Sequence, residues 1–248
     1  FAMPGTDGLR VLNTLLDLRG PIPAFISISE GRQHDVIALD EIRIEPGAFY
    51  VIDRAYLDFS RLYTLHQAGA FFVIRAKRNL QTIRLCSQTV DMSSGVQSDQ
   101  LFRLRGFYSR QGYPDLLRRV RYFDEETRRY FVYLTNHMNL PALTVAHLYK
   151  ARWTVEIFFK WIKQHLRIQR FFGESANAVK TQVWIAVCVY VLVAIIRKEL
   201  GLSESLHKIL QVLSVNAFEK VPMDQLLTNA LDQSQSGDSP NQLMLFEL

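Results

Sequence analysis

A chain of 248 residues that is 48% hydrophobic and 21% charged can bury the core of one or two domains, and this composition excludes a disordered or fibrous protein. The net charge of +5 is uneven, negative over residues 1–60 and 201–248 and positive between them, which favours a polyanionic partner for the middle of the chain. Cys86 and Cys188 have no CxxC or Cys/His spacing around them, so neither a structural zinc nor a disulfide framework is indicated and a reducing cytoplasm fits.

In chain order, Leu9 to Leu18 and Ala24 to Ser29 are apolar, partly alternating runs separated by Arg19-Gly20-Pro21, which predicts a β-hairpin. A helix around His34 to Glu41 precedes a short buried strand, Ala48 to Ile52, that ends at Asp53; a helix from Leu57 to Gln67 and a buried strand from Ala70 to Arg75 follow. Residues 82–140 change character. Strands are expected at Leu101 to Tyr108, Arg118 to Phe123 and Arg129 to Leu134, the last two joined by a turn at Asp124 to Thr127, and eight arginines between positions 103 and 129 against four acids favour contact with DNA. From Pro141 the pattern is helical, with an uncharged run from Val183 to Ile196 that is short of the roughly 18 to 20 residues a bilayer span needs and reads as a buried helix. A further helical stretch lies near Ser205 to Phe218, and 232–242 is polar, of the composition that stays disordered.

The most informative segment is Tyr149-Lys-Ala-Arg-Trp-Thr-Val-Glu-Ile-Phe-Phe-Lys-Trp-Ile-Lys163. Wound as one helix from Tyr149, it gathers Arg152, Glu156, Lys160, Lys163 and Arg167 within an arc of roughly 80° and sets Val155, Phe158, Ile162 and Leu166 on the other side. An ordinary surface helix would pair Glu156 with Arg152 and Lys160; the surplus of cations around one acid instead suits a phosphate-rich partner. Asp53, ending an apolar strand, reads either as a site carboxylate or as a helix cap. Asp58 reads as a cap or a partner of Arg61, His34-Asp35 as a capping pair, and Asp17 as a turn residue.

The spacing Tyr149-x2-Arg152-x3-Glu156-x6-Lys163 resembles the signature of bacterial cut-and-paste transposases of insertion sequence family 4, and Phe49 to Asp58 resembles that family's segment around its second catalytic aspartate, with Glu30 to Asp35 ahead of it. The resemblance implies an α/β, ribonuclease-H-like mixed sheet with flanking helices. The catalytic core would then take residues 1–81 and 141–231, a β-rich insertion 82–140, and a polar linker with an apolar tail 232–248. It implies that Asp53 and Glu156 are catalytic and hold Mg²⁺, with Mn²⁺ as a substitute, and that Tyr149, Arg152 and Lys163 contact DNA, Lys160 being added from its place on the same face. The function implied is DNA transposition: hydrolysis at transposon ends and strand transfer on double-stranded DNA, by a homodimer in a synaptic complex, in the bacterial cytoplasm at the nucleoid. The alternatives are a non-catalytic DNA-binding remnant and a membrane protein anchored through Val183 to Ile196.

Two departures from the family pattern set further expectations. The family's first catalytic aspartate lies on a central strand before the hairpin. No counterpart is assigned here, since Asp7 sits in the turn-like Pro4-Gly5-Thr6-Asp7-Gly8 and Val11-Leu12-Asn13 replaces a lysine-leucine-histidine run. A chain lacking that strand is expected to have a split sheet or a makeshift pairing. At the other end, Gln242-Leu243-Met244-Leu245-Phe246 resembles the pentapeptide by which bacterial proteins dock on the replication sliding clamp, making Gln242, Leu243, Leu245 and Phe246 a candidate docking tail.

Overall fold

The computed structural model describes residues 2–3, 10–18, 22–30, 35–166, 175–216, 218 and 220–227. Asp7, His34, Arg167, the linker and Gln242 to Phe246 lie outside them. In chain order the elements begin with β1 (Ala2–Met3), β2 (Arg10–Asp17) and β3 (Ile22–Glu30). A 3-10 helix (Asp35–Glu41), β4 (Phe49–Ile52), a 3-10 turn (Arg54–Tyr56), α1 (Phe59–Gln67) and β5 (Phe71–Arg75) come next. Then follow β6 (Thr82–Gln88), β7 (Val96–Leu104), α2 (Phe107–Gly112), β8 (Leu117–Asp124), β9 (Arg129–Thr135), α3 (Ala142–Lys150), α4 (Trp153–His165), α5 (Ala176–Glu199) and α6 (Leu206–Val215). The hairpin β2–β3 forms as the Arg19-Gly20-Pro21 break predicts, and with β1 it makes a three-stranded sheet of its own.

The second sheet has the order β4-β5-β9-β8-β7-β6, with β4 and β5 parallel and every other pair antiparallel. It is a mixed sheet with flanking helices, consistent with the ribonuclease-H-like architecture. The strands of the 82–140 segment are continuous with it, because β9 pairs with β5 from Val73–Thr135 to Arg75–Tyr133. Strand alternation assigns the two faces. Tyr50, Ile52, Phe72, Ile74 and Leu134 pack with Leu62 and Leu65 of α1, whereas Val51, Val73, Val120 and Tyr133 pack with Val145, Ala146 and Tyr149 of α3.

Two buried polar devices hold this sheet. Arg118 of β8 grips Asp99 of β7 through two bonds of 2.6 and 2.8 Å, and its remaining nitrogen donates to the carbonyls of His137, Met138 and Leu140. Both side chains are almost wholly buried, so one of the arginines expected to face DNA is a structural staple. Where β9 ends, Asn136 takes over its pairing with side-chain atoms, accepting from the Phe72 N–H at 3.0 Å and donating to the Ala70 carbonyl at 2.8 Å.

The chain divides into two compact units, residues 1–160 and 161–248. In the second, α5 runs well beyond the uncharged stretch, from Ala176 to Glu199, and is long and apolar enough to cross a membrane by length and composition. It is buried along one stripe only, through Val179, Val183, Ala186, Tyr190 and Val193, leaving Trp184, Ile185, Leu192 and Ile195 exposed. The reading of a buried helix holds for one face only: the helical period of 3.6 lets a 24-residue helix cover one face and show the other. Also in this unit, His165 stacks on His207 with ring centroids 3.9 Å apart, and burial together with the neighbouring His207 holds His165 below the ordinary imidazole value.

Asp99→Ala leaves Arg118 charged and buried without its partner, and should cost about 3–5 kcal/mol in urea unfolding, whereas Arg103→Ala, at an exposed position of β7, should cost well under 1 kcal/mol. The depressed His165 value means that its stabilising contribution is complete above about pH 6.5 and is lost as pH falls through and below that point. Thermal unfolding should show a midpoint that drops between pH 7.5 and 5.5, and His165→Phe should flatten that drop.

Candidate active site

Asp53 follows directly on Ile52, and alternation along β4 turns it to the side of Val51, the α3 side of the sheet. Its two oxygens have different tasks. Oδ1 accepts from the Ala55 N–H at 2.9 Å and so caps the 3-10 turn, while Oδ2 lies 3.2 Å from Nη1 of Arg152. Both readings of Asp53, cap and site carboxylate, are compatible in one side chain. Asp58 caps α1 through the Arg61 N–H and pairs with the Arg61 guanidinium at 3.1 Å, which accounts for it structurally.

Residues 149–163 do not form one helix. α3 stops at Lys150 and α4 starts at Trp153, and between them the backbone tightens to i→i+3 bonds: Arg152 N–H to Tyr149, Thr154 to Ala151 and Val155 to Arg152, at 3.0–3.1 Å. The periodicity of apolar residues continues across the break, which is why the sequence reads as unbroken. The consequence falls on Tyr149. Instead of heading an exposed stripe it is 8% exposed, its ring 4.8 Å from that of Tyr133, and burial followed by the nearby Asp53 charge raises its phenol above the ordinary value.

Arg152 is the hub. The same Nη1 that faces Asp53 donates to Glu156 Oε1 at 2.6 Å, and the guanidinium stands 5.7 Å over the Tyr149 ring. Both acids sit on one nitrogen, so their facing oxygens are within about 6 Å of each other, inside the roughly 8 Å that two carboxylates bracketing a metal pair can span. Burial works against the Arg152 charge, but the Glu156 hydrogen bond and the charges of Glu156 and Asp53 outweigh it and raise the guanidinium above its ordinary value. Glu156 Oε2 and Arg152 Nε are buried with no hydrogen-bond partner. Lys160 is exposed on α4, and Lys163, also exposed, belongs to the second unit.

Asp53 and Glu156 supply hard oxygen donors at close range, and one of those oxygens is an unsatisfied acceptor. Magnesium held by one or two carboxylates, with water and phosphate completing its octahedron, fits this donor set. Among the described residues no third His, Cys, Asp or Glu joins them in a metal-binding group. Beyond Asp53 a cleft of about 290 Å³ is lined by five cations, Arg54, Arg75, Lys77, Arg78 and Arg119, together with Tyr130 and no acid. Arg75 also stacks 4.7 Å over the Phe131 ring. Sequence reasoning missed this cleft because its members come from β5 and the loop after it, β8, β9 and the turn after Asp53; the local signal was the Arg75-x-Lys77-Arg78 run.

Tyr149→Ala should destabilise the chain by about 3–5 kcal/mol, as expected for emptying a buried aromatic site, and Tyr149→Phe by no more than about 1.5 kcal/mol. Denaturant titration of the two variants separates this packing role from a surface contact.

The family model described as transposase DDE domain matches residues 8–192, a span that contains Asp53, Tyr149, Arg152 and Glu156. A protein of Sinorhizobium fredii described as transposase y4zB is 33% identical over 190 residues, covering 74% of this chain and 52% of its own length. A protein of Geobacillus stearothermophilus described as a transposase for insertion sequence element IS5377 is 32% identical over 173 residues, 69% of this chain and 45% of its own. One of Synechocystis described as a transposase for IS4SA is 23% identical over 201 residues. The chain spans about half the length of the curated relatives it matches. With three quarters of its residues inside the family model and 33% identity to a relative over 190 residues, this chain belongs to the DDE-domain transposase family.

Proposed function

We propose that this chain carries the phosphodiester-cleaving site of a DNA transposase, in which Asp53 and Glu156 hold Mg²⁺, or Mn²⁺ in its place, and the reaction is hydrolysis at transposon ends followed by strand transfer. The observation that carries the reading is the meeting of two carboxylates from separate elements on one guanidinium nitrogen. A bound divalent ion would supply activation of the attacking oxygen and neutralise charge on the phosphate.

The residues' own parts follow from their surroundings. Asp53 is fixed by its bond from the Ala55 N–H, so Oδ2 keeps its direction when its partner changes. Arg152 offers a planar fork suited to two phosphate oxygens, and a phosphate that engages it competes with both carboxylates for the same donors. Tyr149, buried beneath Arg152, orients that guanidinium in place of meeting DNA itself. Lys160 and Lys163 extend positive charge along α4, and the basic cleft beyond Asp53 gives the phosphates of one strand a route past the carboxylates. A cytoplasmic, DNA-associated location goes with this reading.

The test is Mg²⁺-dependent nicking of DNA bearing the element's ends, together with DNA affinity measured by fluorescence anisotropy. Asp53→Asn and Glu156→Gln should each lower nicking at least a hundredfold and leave affinity within about threefold, whereas Arg75→Ala with Lys77→Ala should weaken affinity and reduce its salt slope by about 2. Tight, salt-sensitive binding with no metal-dependent nicking would instead favour the non-catalytic DNA-binding remnant. Nicking that survives both carboxylate substitutions would overturn the assignment of the site.

A further inference from the structure

Helix α5 gives one stripe to the core of the second unit and leaves another in water. Trp184, Ile185, Leu192 and Ile195 are between 42% and 59% exposed, and Cys188 is exposed among them. From Ile185 to Cys188, Leu192 and Ile195 the steps are three, four and three residues, the 3.5-residue period of a seam that packs against another helix. Thr181 and Glu199, four residues beyond either end, are exposed and close the seam with polar side chains.

The order of the steps and the placing of charge state what fits this face. The steps read the same in both directions, so a copy of the helix turned end for end sets Ile185 across from Ile195 and the small Cys188 across from the larger Leu192 in every layer. No Asp, Glu, Lys or Arg occurs from Val183 to Ile196, so two copies meet without burying an ion. Lys198, two heptads beyond Trp184 on the same flank, would lie beside the indole of the reversed copy, where an ammonium is attracted to the ring face. A membrane-surface helix carries lysine and arginine beside its apolar face; beside this seam stand Gln182, Val189, Val191 and Ile196. At about half exposure each, the large side chains and Cys188 offer roughly 450 Å² per copy, or about 900 Å² for a pair, the low end of specific interfaces and the mark of a weak, concentration-dependent dimer.

We propose that the exposed seam of α5 is a docking surface for the same helix of a second copy of this chain, the two helices running antiparallel about a two-fold axis at the level of Tyr190. The interface is built from the second unit alone, apart from the carboxylate pair and the basic cleft, and does not depend on the reading of that site.

The experiment is sedimentation velocity of the whole chain, without DNA, over a hundredfold range of concentration, joined to coupling by a short bismaleimide in a Cys86→Ser background, where Cys188 is the one thiol left. The chain should pass from monomer to dimer in the micromolar range. Leu192→Glu with Ile195→Glu should raise the dissociation constant at least a hundredfold, whereas Leu192→Ile with Ile195→Leu should keep it within about threefold. Circular dichroism of the acidic variant should match that of the unsubstituted chain, which separates loss of the dimer from loss of the fold. In the reversed pairing the two Cys188 positions stand about 6 Å apart along the axis and about 8–10 Å across it, so the bismaleimide should link them and a direct disulfide should not form. A chain that stays monomeric throughout, a dimer that survives the two glutamates, or a dimer that the bismaleimide does not link would each overturn the seam. Association with phosphatidylcholine vesicles in place of a dimer would assign the face to lipid and overturn it equally.

Discussion

The parallel pair β4–β5 is covered on both faces, and this double burial is the constraint from which the rest follows. With Tyr50, Ile52, Phe72 and Ile74 committed to α1 and Val51 and Val73 to α3, neither strand can slip by one residue without turning its core set over. Asp53 inherits its direction from that register. It emerges on the α3 side at the strand's end, where the backbone leaves the sheet and a carboxylate can stay partly in water. The helix that supplies Arg152's neighbour Tyr149 is the one that packs on that same face, so the core and the site are arranged by one alternation.

Electrostatics completes what packing begins. Two carboxylates brought this close repel one another, and Arg152 offsets the repulsion from a position where burial penalises its own charge. The arrangement leaves one carboxylate oxygen and one guanidinium nitrogen unsatisfied out of the reach of solvent. Such buried orphans are uncommon in folded proteins and mark places where a structure keeps polar capacity in reserve. The Arg118–Asp99 staple is the contrast: equally charged and more deeply buried, it has every donor answered by a carboxylate or a carbonyl, and it serves only to hold β7, β8 and the turn before α3 together.

Much of this was legible in the sequence where a physical signal was local. The hairpin, β4, α1 and β5 announce themselves as apolar runs punctuated by turn residues, and the Arg152 to Glu156 spacing of four by itself identifies a helical pair. What escaped lacks such a signal. β6 is exposed along nearly all its length, so no buried face imposes alternation on it, and α2 is a six-residue helix held by contacts to α1 that only the fold creates. A buried Arg118 and an exposed Arg103 are the same letter. The break between α3 and α4 was hidden for a different reason: apolar residues at helical spacing continue through it, and hydrophobic period reports which face is covered, not whether the backbone is unbroken.

That break makes the segment from Tyr149 to Glu156 a ruler. Tyr149 is pinned in the core at one end, Glu156 must come to rest beside Arg152 at the other, and the tightened turn between them takes up the difference in rotation. Adding or removing one residue inside it would swing everything beyond by about 100° about the helix axis and carry Glu156 away from Asp53. The interval from Tyr149 to Glu156 is therefore intolerant of any change in count.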